Sequence, residues 1–431
     1  MSLLHRIRTC SQRSAVIWAG FVGLSFASTL SASGSWVKLT SKHVELYTPN
    51  SRKKAQRLLR ELERFRAVLD ADNPPLGPDF GVRIVAFSSH AEYARYAPDP
   101  SSAGYFLPGH HRDYVVLQDL DPEHRSVALH EYAHFTESRR GVALPLWLDE
   151  GLAEVYSTLK EKDGLTVVGA VPAARLATLR TSGLVDIRSL FAGSQSRLEY
   201  PTDPARLALF YAQSWALVHM LKFSPAYSAG FTRFLRLMGE GNSIEDSVRE
   251  VYGKPLVGMT ADLLYYLAET SLGGQRVTSS VAPNLGIEMQ QASSVELNTV
   301  LGDLTATLER FDVARPMLLK LDADHPHTPQ VEEALAYLFL RQNNIPEAGW
   351  YFSQAAADGD RNPRLLFHYA RTMLAMGMSP SAVVPVLRRA LEVEPNYPEA
   401  RQQLASLLPV VAGLGSRTGN PMQSANIKGL R

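Results

Sequence analysis

The spacing of apolar and polar positions changes several times along this chain, and each change predicts a new element. Lys42–Tyr47 alternates apolar with polar residues, the period of a half-buried strand, and Val82–Phe87 is apolar enough for a buried one. Between them Ser51–Asp70 sets Ala55, Leu58, Leu59, Leu62 and Phe65 on one helical stripe; its Arg and Lys excess reads as a solvated face. A short helix over His90–Tyr96 follows, then strands at Gly104–Phe106 and Tyr114–Leu117. Beyond these the period is helical. It predicts helices through His130, from Pro145 onward, and over Ala170–Thr181, Arg206–Phe223, Phe231–Met238, Ile244–Tyr252 and Leu256–Ala268. Thr278–Ala292 is polar, holds Pro283 and Gly286, and predicts a linker.

The third region repeats itself. Gly302, Ala336 and Ala370 recur at one constant interval, as do Ala314, Ala348 and Ala382, with Ala355 and Pro326 at further small-residue and terminator positions. Three units fit, Ser294–Thr328, Pro329–Asn362 and Pro363–Tyr397, followed by a capping helix at Pro398–Leu408. That interval, with small residues where paired helices cross, resembles tetratricopeptide repeats and implies a surface for a protein partner. Residues 409–431 are rich in Gly, Ser and Asn and predict a disordered tail.

Composition is globular: 45% hydrophobic, 20% charged, with 44 Lys and Arg against 43 Asp and Glu. A net charge of +1 gives no reason to propose nucleic acid or a basic membrane-binding surface. Near the N-terminus Arg6, Arg8 and Arg13 precede an apolar run, Ala15–Ala27, and Ser31-Ala32-Ser33 offers a small-residue cleavage site. That is the layout of a signal peptide over residues 1–33, and it predicts export, to a bacterial periplasm. The run is short for a membrane span, so no span is expected in the mature chain; left uncleaved it would anchor the protein in the inner membrane. Cys10, the single cysteine, precedes the run and is not placed as a lipoprotein cysteine. The mature chain then has neither disulfide nor thiol nucleophile.

The chemistry concentrates between His130 and Glu154. His130 and His134 are one helical turn apart, so both imidazoles leave one face, while Glu131 points aside, where it can hold a water. The sequence His130-Glu131-Tyr132-Ala133-His134 is the HExxH pattern of zinc hydrolases: two ligands and a general base. Asp121 suits the N-cap, Pro122 the first helical position, and Arg139 and Arg140 the C-terminal end before Gly141. A zinc site of this kind needs a third protein ligand. The helix starting near Pro145 carries Glu150 and Glu154 on one face, with Leu148, Leu152, Val155 and Leu159 on the other. A short connector, Gly141–Leu144, predicts antiparallel helices. Counting along the axes sets Glu150 level with His134 and Glu154 level with His130, so geometry alone admits either glutamate.

Trp147-Leu-Asp-Glu-Gly-Leu-Ala-Glu154 resembles the WLNEGFA segment of gluzincin metallopeptidases, the clan of thermolysin and the aminopeptidase N family. The resemblance implies His130, His134 and Glu150 as Zn2+ ligands and Glu131 as base, with Asp149 where the clan has Asn. The spacing is shorter than in aminopeptidase N and is closer to bacterial peptidase MA-like proteins, which often carry helical repeats. The resemblance further implies that an edge strand pairs with the substrate peptide, and Gly104–Phe106 is the candidate. No GxMEN-like segment is present, which counts against a typical exopeptidase. Tyr211, on the helix expected at Arg206–Phe223, is the implied oxyanion donor, with His219 the runner-up. His110 and His111, an adjacent pair in a Pro-Gly loop, read as solvent-exposed rather than as ligands.

The expected architecture is an α+β zincin-like N-terminal lobe over 34–160, an all-helical second lobe over 161–275, a linker over 276–293 and a C-terminal α-solenoid over 294–408, tetratricopeptide-like. The expected function is a zinc-dependent metallopeptidase acting on a peptide or protein substrate, with the repeats holding a protein partner. The alternative is a catalytically inactive scaffold of the same fold that acts through its repeats.

Overall fold

The computed structural model describes residues 35–72, 81–139, 144–162, 165–192, 201, 203–269, 272–277 and 285–417. The signal segment (1–33), the end of the tail and most of the helix connector Gly141–Leu144 lie outside the described residues. The chain opens with β1 (Val37–Thr40) and β2 (Val44–Thr48), then α1 (Arg52–Asp72), β3 (Val82–Ala86), α2 (His90–Tyr93), β4 (Gly104–Leu107) and β5 (Asp113–Leu117). A 3₁₀ turn (Pro122–His124) leads into α3 (Arg125–Ser138) and α4 (Leu146–Ser157). Next come β6 (Lys160–Lys162), β7 (Leu165–Val168), α5 (Ala173–Ser182), α6 (Ile187–Ala192), α7 (Pro204–Phe223), α8 (Phe231–Gly239), α9 (Ile244–Tyr252) and α10 (Leu256–Ala268). Two strands, β8 (Gln275–Val277) and β9 (Glu288–Gln291), precede the helices α11 (Ser294–Thr307), α12 (Phe311–Asp324), α13 (Pro329–Arg341), α14 (Ile345–Ala357), α15 (Pro363–Ala375), α16 (Pro380–Val393) and α17 (Pro398–Arg417). No helix of the described residues is long and apolar enough to cross a membrane.

A six-stranded mixed sheet, in the order β4-β5-β3-β2-β1-β9, forms the N-terminal part. Strand alternation gives it two unlike faces. Leu39, Leu46, Ile84 and Val115 point to one side and join a core with Leu59, Leu62 and Phe65 of α1 and Leu129, Tyr132 and Ala133 of α3. The other side carries Lys38 opposite Tyr47, and Glu45, Arg83 and Tyr114 in one cross-strand row. β4 is the outermost strand on the α3 side, where the sequence expects an exposed edge.

Two expectations fail among the strands. The segment expected as a linker is in part β9, which pairs antiparallel with β1 from Val37–Gln291 to Thr40–Glu288. Its side chains are exposed on both faces, so no alternation marks it in the sequence. The short β6, β7 and β8 form a second sheet that joins residues on either side of the helical lobe.

The helical lobe is organised on α7, which is buried from Ala212 to Leu221. Gly151 of α4 lets the two helices touch: a Cβ there would lie 2.4 Å from Val218 Cγ2 and 2.5 Å from the Ser214 carbonyl oxygen.

From Ser294 onward the chain is a helical array of three hairpins and a final helix. Gly302 allows α11 to cross α12, since a Cβ would meet Leu318 Cδ2 at 2.6 Å. Ala314, Ala336, Ala348 and Ala370 are fully buried at the other crossings. The backbone repeats with the sequence: Glu309, Asn343 and Gly377, set one repeat apart, turn their hairpins with φ of 60°, 57° and 77°. The disordered tail expected over 409–431 does not start at 409: α17 carries Pro409 inside it and runs to Arg417, and residues 418–431 lie outside the described residues.

The array lies against the polar side of the sheet. Lys38 Nζ and Tyr47 Oη donate to Glu296 Oε1 at 3.0 and 2.8 Å, and Tyr114 Oη donates to Asp303 Oδ2 at 2.5 Å. Arg364 Nη1 donates to the His111 carbonyl at 2.8 Å, and Arg310 binds the carbonyls of Arg95 and Ala97.

Candidate metal centre

The helix that carries the paired histidines is entered through a tight turn. Asp121 occupies the N-cap position before Pro122 as expected, but its carboxylate pairs with Lys54 and makes no capping hydrogen bond. Asp119 does the local work, accepting from the Asp121 backbone N at 2.8 Å and lying 2.9 Å from His124 Nδ1. Leu129, Tyr132, Ala133 and Phe135 then fix α3 in the core, while Leu148, Leu152, Val155 and Leu159 fix α4 and the residue beyond it. His130 lies by Glu154 and His134 by Asp149, so the two helices run antiparallel.

His130, His134 and Glu150 converge. The two Nε2 atoms are 3.1 Å apart, and Glu150 Oε2 lies 3.2 Å from His130 Nε2 and 3.4 Å from His134 Nε2. A small divalent ion held tetrahedrally by N and O ligands at about 2.0–2.1 Å spaces its ligand atoms by about 3.3–3.4 Å, the size of this triangle. Two imidazole nitrogens facing each other also need a proton or a cation between their lone pairs. The donor set therefore fits a metal ion. His134 and Glu150 are 7% and 2% exposed, so this is a largely desolvated site. Burial works against charge here, but the groups overrule it: Glu150 and Asp149 hold the His134 imidazole well above its ordinary range. The two imidazoles hold Glu150 well below the usual carboxylate range in the same way.

The structure distinguishes the two glutamates that spacing left open. Glu154 Oε1 is 3.6 Å from His130 Nδ1, on the ring edge away from the triad, and both its oxygens are gripped by Arg175, at 2.9 and 2.6 Å. Asp149 Oδ1 lies 3.2 Å from His134 Nδ1. Each histidine thus has a carboxylate beside the nitrogen that does not face the triad, in ion-pair rather than hydrogen-bond contact. Arg175 carries no signal in the sequence, since nothing local ties it to a carboxylate 21 residues earlier.

Glu131 stays out of the triad. It is half-buried, and its charge acts on His130 and on the buried Tyr93 hydroxyl, whose ring packs 6.2 Å from Tyr105 of the edge strand β4. Tyr211, on α7, brings its ring to 6.3 Å from that of His130, beneath the Arg175 guanidinium at 5.1 Å. His219 is elsewhere: it is fully buried, with Nδ1 2.7 Å from Tyr266 Oη and Nε2 2.8 Å from the Gly169 carbonyl.

His110 is exposed, as expected of the pair. His111 is not. It is 4% exposed, stacks on Tyr337 of the array at 3.8 Å, and sets Nε2 3.2 Å from Asp303. No family model matches the chain, and no curated protein matches it either.

Proposed function

We propose that this protein is an exported zinc metallopeptidase of the gluzincin kind, with a zincin-like catalytic part and a tetratricopeptide-like array that holds a protein partner. The observation that carries the reading is the triangle of His130, His134 and Glu150 donors at 3.1–3.4 Å, with Glu131 beside it and Tyr211 facing it. His130, His134 and Glu150 would hold a zinc ion there, which would supply a Lewis acid and a water made nucleophilic near neutral pH.

The protein's own groups would supply the rest. Glu131 takes the proton of the attacking water and returns it to the leaving amine nitrogen. The Tyr211 hydroxyl donates to the oxygen on which negative charge develops. β4, as the outer strand next to α3, aligns an extended peptide by backbone pairing. Asp149 and Glu154, as anions beside the Nδ1 atoms, would favour the form that keeps its proton on Nδ1 and turns Nε2 inward.

The test is metal content together with peptide-library cleavage for the wild type beside Glu131→Gln. The variant is expected to keep its metal and lose about 10²–10⁴-fold in rate. Normal turnover by the Gln variant removes Glu131 from the mechanism. A wild type that binds the ion but cleaves nothing leaves the scaffold reading in its place.

A further inference from the structure

A second group of donors lies in the array, remote in sequence from the paired histidines. His327 sits in the connector between α12 and α13, Glu332 in the first turn of α13, and Asp358 at the C-cap of α14. One donor atom from each lies within 4.8 Å of the others, and His327 Nδ1 is 3.0 Å from Asp358 Oδ2.

Acidic clusters are common on surfaces, but this one contains a group that surface solvation does not explain. Glu332 is only 4% exposed, and its Oε2 is buried without a hydrogen-bond partner. A buried carboxylate oxygen left without a donor costs far more than an exposed one. Among the described residues no Lys or Arg pairs with Glu332 or Asp358, and a further carboxylate, Asp322, acts on both His327 and Glu332. His327 is also one of three non-glycine residues with positive φ among those described, at 59°. The other two, Glu309 and Asn343, belong to the repeating series of hairpin turns; His327 does not.

We propose that His327, Glu332 and Asp358 form a second divalent-metal site, which ties the connector between the first two hairpins to the far end of the second. One imidazole with two carboxylates suits a first-row transition ion such as zinc, whereas calcium and magnesium prefer all-oxygen sets. A tetrahedral set spaces its donors by about 3.4 Å. His327, with its side chain 76% exposed, has the freedom to close the remaining gap, and the ion enters from solvent on that side. The bound ion would stabilise the array by mass action, without touching the first triad.

The test is Zn2+ binding to the metal-stripped full-length chain by equilibrium dialysis, with thermal unfolding measured alongside. Two ions per chain are expected for the wild type and one for both Glu332→Gln and His327→Asn. The array ion should bind about a hundredfold or more weakly in these variants, beyond the ~10–100-fold that outer-shell changes cause. His327→Asn guards against a folding defect, because the residue is exposed and Asn tolerates a left-handed backbone. His134→Ala should remove the other ion and leave the array ion in place. The proposal is overturned if both array variants bind as the wild type does, or if the only ion bound is the one His134→Ala removes. A single ion lost in the array variants and retained in His134→Ala would uphold this site and sink the peptidase reading.

Discussion

Two buried histidine–carboxylate clusters in this molecule, built from the same residue types, have opposite characters. At Asp303 the partners are His111, the Tyr114 hydroxyl and, 3.5 Å from its other oxygen, Arg341. A phenol and a guanidinium pair with the carboxylate rather than bind a metal, so this cluster offers a single nitrogen ligand and ties the array to the sheet, although Asp303 Oδ1 makes no hydrogen bond. At Glu150 two imidazole nitrogens face one another as well as the carboxylate, a geometry that hydrogen bonds alone do not complete. The titration follows. Burial pulls His111 down to about 4 despite Asp303 beside it, whereas at His134 the surrounding carboxylates prevail over burial. A histidine beside an aspartate is therefore not enough to indicate a metal. The orientation of the second nitrogen ligand decides.

The comparison can be broken at several points. The largest effect is expected from Glu150→Gln, which should abolish metal retention, whereas Asp303→Asn should leave metal content unchanged; elemental analysis of the two purified variants decides this. Asp303→Asn should instead cost about 3–5 kcal/mol in stability, as when one partner of a buried ion pair is removed, read from urea unfolding. Tyr211→Phe should lower kcat by about 10²–10³-fold with metal unchanged, as loss of an oxyanion donor does, in the peptide-cleavage assay. Glu154→Gln should retain the ion but bind it about 10–100-fold more weakly, which competition with a chelator measures. If Glu154→Gln loses the ion outright while Glu150→Gln keeps it, the ligand assignment is wrong.

The smallest effect concerns pH. His111 is depressed in the folded chain, so between about 4 and its ordinary 6.5 the unfolded chain binds more protons. Stability then rises with pH across that window and is lost as pH falls through it. From pH 6.5 to 5.5 the loss from this residue is about 1 kcal/mol. Urea midpoints at the two pH values should show it, and His111→Phe, which keeps an aromatic ring on Tyr337, should flatten the slope.

Elements with a strong period were legible in the sequence. Ile244–Tyr252 and Leu256–Ala268 have the expected bounds, and helices start at Pro329 and Pro363, where the repeat spacing begins new units. The strands β2 to β5 were legible as well, but β1 and the short β6 to β9 were not. β9 is a run of exposed polar or half-polar residues whose only reason to extend is the free edge of β1, at the opposite end of the sheet-and-helix part of the chain. At the candidate metal centre, the turn spacing of His130 and His134 was readable because it is local. Spacing alone did not choose between Glu150 and Glu154; the resemblance of Trp147–Glu154 pointed to Glu150, while Arg175, which claims Glu154, gives no local signal. His111 was misjudged for the same reason: Pro and Gly neighbours describe a loop, and only the fold reveals that Tyr337 covers it.

The pairing of β9 with β1 leaves the large sheet with unequal margins. At one border the exposed, mostly polar β9 is the outermost strand, just before the array begins, while β4 is the outermost strand at the opposite border, beside the helix of the paired histidines. A guest that docks by strand addition thus meets two margins of different character, and under the proposed function the one it uses is β4, beside His130 and His134.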